Sequence, residues 1–153
     1  MATVYIGIGS NLGERKANIE RAISMLADSG IHIIARSSLH ETAPWGVTDQ
    51  PMFINAALKA ETALSPFDLL TALKSIERRM GRLFEQERWG PRIIDLDILL
   101  YDDDVVDTRE LKIPHPHMHE RAFVLAPLKE IAPDAMHPTL CKSVSELLKR
   151  LHP

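Results

Sequence analysis

A chain of 153 residues, 45% hydrophobic and 25% charged, is long enough to bury most of the apolar surface its unfolded form exposes, so one domain spanning 1–153 is expected. A formal net charge of -3 argues against a general nucleic-acid binder, because that role rests on a basic excess that neutralises phosphates. No apolar run approaches the roughly 18 residues that cross a bilayer, no basic flank precedes a long apolar segment at the start, and Cys141 is the single cysteine, so the expectation is a cytoplasmic protein without membrane partner or internal disulfide.

In chain order, residues 3–9 alternate and are rich in strand formers. Ile19, Ala22, Ile23 and Leu26 then recur at helical spacing from about Glu14, and Gly30 supplies a stop. Residues 31–39 read as a strand, 41–51 as a loop, and 53–60 or a little beyond as another strand. Ser65-Pro66-Phe67-Asp68 starts a helix strongly, with a serine cap, proline where no hydrogen bond is lost and an acidic third position, ahead of a stripe of Leu69, Leu70, Leu73, Ile76 and Met80. A strand over 93–101 completes βαββαβ, the α+β ferredoxin-like plan of an antiparallel sheet with two helices on one face. Residues 122–131 and 143–151 read as helices at the periphery.

The strand at 93–101 contains two carboxylates. Side-chain alternation puts Asp95, Asp97, Leu99 and Tyr101 on one face and Ile94, Leu96, Ile98 and Leu100 on the other. The aspartates stand about 6.5 to 7 Å apart along the backbone and project the same way. Two like charges beside an apolar sheet force a proton onto one of them unless a cation compensates. Mg²⁺, which takes one or two protein carboxylates and completes its shell with water and substrate phosphates, answers that need. Plain alternation on a solvated sheet face is the competing reading.

The neighbouring charges favour phosphate chemistry. Arg82, Arg88 and Arg92 lie in a Gly- and Pro-containing loop beside the aspartates, where guanidinium forks would clamp a polyphosphate; Arg88 is as readily a surface partner of Glu85 or Glu87. His115, His117 and His119 alternate ahead of Arg121, and donation to phosphate suits them better than zinc, since no fourth ligand is evident. Gly7-x-Gly9-x-x-x-Gly13 lacks the dinucleotide-binding spacing, and no phosphate-cradling G-x-x-x-x-G-K-[ST] loop exists, so any nucleotide must be held by a different fold.

Taken together, Gly9-Ser-Asn-Leu-Gly13, Glu41-Thr-x-Pro-x-Gly46, Gln50-Pro-x-Phe-x-Asn55, Gly81-Arg82, Arg88-Trp-Gly-Pro-Arg-x-x-Asp-Leu-Asp-Ile-Leu99 and Pro114-His-Pro-x-Met-x-x-Arg-x-Phe123 resemble the 6-hydroxymethyl-7,8-dihydropterin pyrophosphokinases of folate biosynthesis nearly end to end. The resemblance implies an enzyme that transfers pyrophosphate from ATP to the pterin's hydroxymethyl group and releases AMP. It implies Asp95 and Asp97 as ligands of two Mg²⁺ ions and, with Arg82 and Arg92, as the catalytic set. For ATP it implies Leu70, Glu77, Arg82, Arg92, Ile98, His115 and Arg121, of which Leu70 and Ile98 could equally be core. For the pterin it implies Thr42, Pro44, Trp45, Phe53, Asn55, Trp89, Asp95 and Phe123. The phenylalanines could be ordinary core, whereas an amide inside a strand, as at Asn55, needs partners. Phe84 and Glu85 depart from the family's basic loop, and Glu110, between Arg109 and Lys112, leaves the ribose-phosphate contact unassigned. The expected partners are ATP and the pterin, with the chain a monomer. A ligand-sensing module and a nucleotidyltransferase that uses the Asp-x-Asp pair are the rival functions.

Overall fold

The computed structural model describes residues 1–42, 52–81 and 93–152. In chain order the sheet-forming elements and their helices are β1 (Ala2–Ser10), α1 (Arg15–Asp28), β2 (Ile31–Arg36), β3 (His40–Thr42), β4 (Phe53–Thr62), α2 (Pro66–Arg79) and β5 (Asp95–Tyr101). All strand pairings in the sheet are antiparallel, in the order β2-β4-β1-β5, which is the ferredoxin-like arrangement expected from the element order.

The two faces of the sheet bury different sets of residues. Val4, Ile6 and Ile8 of β1 pack with Ile19, Ala22 and Leu26 of α1 and with Leu69, Leu73 and Ile76 of α2. Each valine, leucine or isoleucine among them, fully removed from water, contributes about 1.5–3 kcal/mol. Helix α2 begins as the sequence indicates, with the Ser65 hydroxyl accepting from the Asp68 N–H at 3.2 Å and proline in the first turn.

The opposite face is closed by the C-terminal part of the chain. Here the small hairpin β6 (Val106–Asp107) and β7 (Lys112–Ile113) leads through a 3₁₀ turn to α3 (Ala122–Ile131), then the hairpin β8 (Met136–His137) and β9 (Lys142–Ser143), and finally α4 (Val144–Leu151). Leu125 and Leu128 of α3 and Val144 and Leu147 of α4 form a second core with Ala57, Leu99 and Leu100 of the sheet. The helices expected at the periphery are therefore an integral layer.

Two local features depart from the expected strands. The strand expected over 31–39 ends at Arg36, with β2 running along residues 58–62 of β4, and a further strand, β3, starts at His40, continues into the expected loop and runs along 53–55. Between them Ser37 keeps the ladder going, its N–H donating to the Ala57 carbonyl at 2.9 Å and its hydroxyl accepting from the Ala57 N–H at 2.8 Å. In β5 the register against β1 jumps from Ile6↔Ile98 to Tyr5↔Leu100, a bulge that leaves Leu99 as an extra residue. The bulge inverts the expected alternation beyond that point. Leu99 and Leu100 both join the second core, and Tyr101 turns to the first, its hydroxyl donating to the Leu64 carbonyl at 2.5 Å.

Candidate active site

Ahead of the bulge the alternation holds, and it carries the chemistry. Asp95 pairs with Gly9, Gly9 with Asn55, and Asn55 with His40, making one row across four strands; Asp97 pairs with Gly7, and Gly7 with Ala57, in the next. Directly paired residues point to the same side of a sheet, so both aspartates, Asn55, Phe53 and Thr42 share the face that α3 and α4 cover. At about 4.8 Å per strand, Asp95 lies about 9.6 Å from Asn55 and Asp97 as far from Ala57, across a floor of two glycines, Gly9 and Gly7. A trough thus runs over β1, walled by carboxylates on one side and by an amide on the other.

Asn55 is held in place. Its Nδ2 donates to the Thr42 hydroxyl at 2.6 Å, and a methyl group on Gly9 would stand 2.7 Å from its Oδ1. The side chain therefore leans over Gly9, and only glycine leaves it room. Phe53, paired with Thr42, lies one step further along the same face. Phe123 stands in the first turn of α3, a helix that packs against β3 and β4. The Arg121 guanidinium lies 5.7 Å from the centre of the Phe123 ring, within cation–π range.

On its other side β5 is the edge of the sheet. Glu77 of α2, only 4% exposed, reaches that edge and accepts the Leu96 N–H at 2.9 Å. Since Leu96 turns its amide outward, the ladder alternation turns the N–H and carbonyl of Ile98 outward as well. They face a cavity of about 310 Å³ that wraps the edge, lined by Leu70 and Lys74 of α2, by Asp95, Asp97 and Ile98, and by His115. Arg109, Glu110 and Lys112 of the β6–β7 region form its outer wall.

The state of His115 follows from its contacts. Its Nδ1 accepts the His117 N–H at 3.1 Å, so a neutral ring carries its proton on Nε2 and can donate from there. Burial first, then the nearby Arg121 and His117 charges, push its pKa down to about 4. Below the ordinary value of 6.5 the unfolded chain binds this proton and the folded chain does not, so stability is lost as pH falls from 6.5 towards 4. Melting temperature measured across that window should fall, and His115→Asn should flatten the decline. An unchanged slope in the variant rules out His115 as its source.

The remaining histidines diverge from His115. The His119 ring meets that of His137 edge-on at 6.0 Å, and among the described residues its buried Nδ1 has no hydrogen-bond partner. His117 and His119 both approach Glu120, at 3.9 and 3.3 Å.

Against known proteins, a family model described as 7,8-dihydro-6-hydroxymethylpterin-pyrophosphokinase (HPPK) matches residues 5–133. A Methylorubrum extorquens 2-amino-4-hydroxy-6-hydroxymethyldihydropteridine pyrophosphokinase is 46% identical over 100% of this chain and 96% of its own. The chain belongs to the HPPK family. An Aquifex aeolicus protein of the same name is 45% identical, covering 95% of this chain and 90% of its own. A solved Plasmodium falciparum HPPK-DHPS structure shares the fold, with TM-score 0.77 at 16% identity, covering 97% of this chain and 44% of that one.

Within this HPPK-family fold, Thr42, Phe53, Asn55, Asp95, Asp97 and Phe123 gather at the covered face, and Leu70, Ile98 and His115 meet the aspartates at the cavity. Glu77 lies buried beneath the edge of β5. Pro44, Trp45, Arg82, Arg88, Trp89 and Arg92 lie outside the described residues. Sequence reasoning missed Lys74, although its i+4 spacing from Leu70 places both on one side of α2.

Proposed function

We propose that the chain transfers the pyrophosphoryl group of ATP to the hydroxymethyl group of 6-hydroxymethyl-7,8-dihydropterin. The alcohol oxygen bonds to the β-phosphorus, the bond from that phosphorus to the oxygen bridging the α-phosphate breaks, the alcohol's proton is released, and AMP departs. The observation that carries the reading is the paired row Asp95–Gly9–Asn55, which sets carboxylates and an amide on opposite sides of one glycine-floored trough.

The carboxylate pair fits Mg²⁺. Both side chains are half-buried oxygen donors on one face, and Mg²⁺ takes one or two such carboxylates and completes its shell with water and substrate phosphates. Asp95 and Asp97 would hold two ions, which when bound neutralise phosphate charge and make the alcohol a better nucleophile. The protein's own part is positioning. His115 donates from Nε2, and Arg121 offers its guanidinium, to the triphosphate. Leu70 and Ile98 flank the adenine, with Glu77 anchoring the strand that carries Ile98. Arg82 and Arg92 clamp the phosphates from the loop. Phe53 and Phe123 sandwich the pterin, Asn55 meets its pyrimidine edge with one donor and one acceptor, and Thr42, Pro44, Trp45 and Trp89 complete that pocket.

We read the chain as a cytoplasmic monomer. The single cysteine suits a reducing compartment, and among the described residues no helix is long and apolar enough to cross a membrane. Purified protein incubated with Mg²⁺, ATP and the pterin should form AMP only when the pterin is present. Release of free pyrophosphate instead would establish nucleotidyl transfer and overturn the proposal.

A further inference from the structure

Strand β3 is three residues long and, among the described residues, pairs only with the start of β4, yet it carries Thr42, the hydrogen-bond partner of Asn55. So short a pairing fixes little by itself, because each ordered residue costs about 1–2 kcal/mol of backbone entropy. Side chains from remote elements supply the remainder. On the face of Asn55, the Glu130 carboxylate of α3 accepts the Ser38 N–H at 2.9 Å, the Ser38 hydroxyl at 2.9 Å and the ring Nε2 of His40. Alternation turns Glu41 to the opposite face. There Arg15 of α1 approaches its carboxylate at 3.3 Å and donates to the Met52 carbonyl at 2.6 Å, just ahead of β4.

Glu130 stands seven residues after Phe123, two turns along the same side of α3. One helix therefore presents an aromatic ring at one end and a carboxylate bound to the β3 segment at the other. We infer that Glu130 is a positioning residue that latches α3 to Ser38 and His40, and so sets the gap between Phe123 and the Phe53, Asn55 and Thr42 side of the pterin pocket. The inference deepens the proposed function and rests on its pterin assignment. The Ser38 amide first, then the His40 and Ser38 side chains, hold the Glu130 carboxyl below the usual carboxylate range, so the latch is charged at neutral pH. Ser38, His40 and Glu130 do not line the cavity beside Ile98, and α3 bears on the proposed nucleotide site through Arg121 at its start, so the latch acts on the pterin side more than on the nucleotide side.

The test compares Glu130→Ala and Glu130→Gln with wild type in steady-state turnover, in binding of a fluorescent ATP analogue, and in amide hydrogen exchange of the unliganded protein. Glu130→Ala should raise the KM for the pterin about tenfold, the scale of loss expected from a sub-ångström misplacement. Nucleotide affinity should fall by clearly less than that, a split that general loosening of the fold would not give. Amides of residues 40–42 and 53–55 should exchange faster while those of β1 and β5 do not. Glu130→Gln keeps an acceptor for Ser38 and should recover most of the loss. An unchanged pterin KM, equal weakening of pterin and nucleotide, unchanged exchange at 40–42, or a glutamine variant as poor as alanine each overturns the latch. Wild type that forms no pterin-dependent AMP sinks the functional reading instead, and the exchange pattern still reports on the latch.

Discussion

Asp97→Ala should lower kcat by about a thousandfold or more while the protein stays folded. A carboxylate that holds a divalent cation against transferring phosphate contributes several kcal/mol to the transition state, and each 1.36 kcal/mol is about tenfold in rate. The fold should tolerate the change because the side chain is half-buried and belongs to neither hydrophobic core. Removing one of two neighbouring like charges also relieves repulsion, which opposes any loss of stability. Three measurements decide the matter: single-turnover rate at saturating Mg²⁺ and ATP, affinity for Mg²⁺ with a non-hydrolysable nucleotide, and melting temperature. A variant that keeps most of its rate, or that loses activity only by unfolding, removes Asp97 from the metal site and with it the mechanism.

How much of this was legible in the residues depends on how far apart the deciding partners lie. The start of α2 was legible because the cap, the proline and the acidic third position sit within four residues, Ser65 to Asp68. The carboxylate face of β5 was legible up to Ile98, since alternation is local. Beyond it the bulge was not, because Ile98, Leu99, Leu100 and Tyr101 are all apolar and leave no polar position to mark which face each takes. Strand β3 escaped notice for a different reason. His40, Glu41 and Thr42 are polar and too few to show a period, and what holds them lies in Glu130 and Arg15, far along the chain. The apolar stripes of α3 and α4 announced burial without saying against what; the second sheet face became visible only once Ala57, Leu99 and Leu100 were seen to point there.

At the site the same division holds. Asp95, Asp97 and Asn55 could be singled out as polar groups in strands, a position that demands a partner. Their meeting could not, since it depends on the β1 register that interposes Gly9 and Gly7. The β6–β7 region shows the converse. Its charges, Arg109, Glu110 and Lys112, were ambiguous as sequence, and the hairpin brings them to the cavity wall, where the Lys112 ammonium donates to Asp107 at 2.6 Å.

That interposed glycine yields the second large effect. Gly9→Ala should weaken pterin binding by about one to two orders of magnitude while changing stability little. The new methyl group would lie 2.7 Å from the Asn55 Oδ1, closer than such carbons come, and 3.5 Å from the Ile54 carbonyl, so the Asn55 side chain must rotate away. Rotation breaks its 2.6 Å bond to Thr42 and moves the amide off the heterocycle's edge. Two neutral hydrogen bonds lost to the ligand, at about 0.5–1.5 kcal/mol each, weaken binding by about 5- to 150-fold. Against this, alanine in a strand has less unfolded-state freedom than glycine, a gain of about 0.4–1 kcal/mol that offsets much of the lost Thr42 bond. Gly7→Ala is the internal control. On the same strand and face, its methyl's nearest neighbours would be Leu99 side-chain carbons at 3.5 to 3.7 Å, an ordinary contact, and pterin affinity should hold. Equilibrium titration of both variants with the pterin, with a nucleotide present, separates the cases. If Gly9→Ala binds as wild type does, or if Gly7→Ala fails equally, Asn55 does not read the pterin and the trough's amide wall has another purpose.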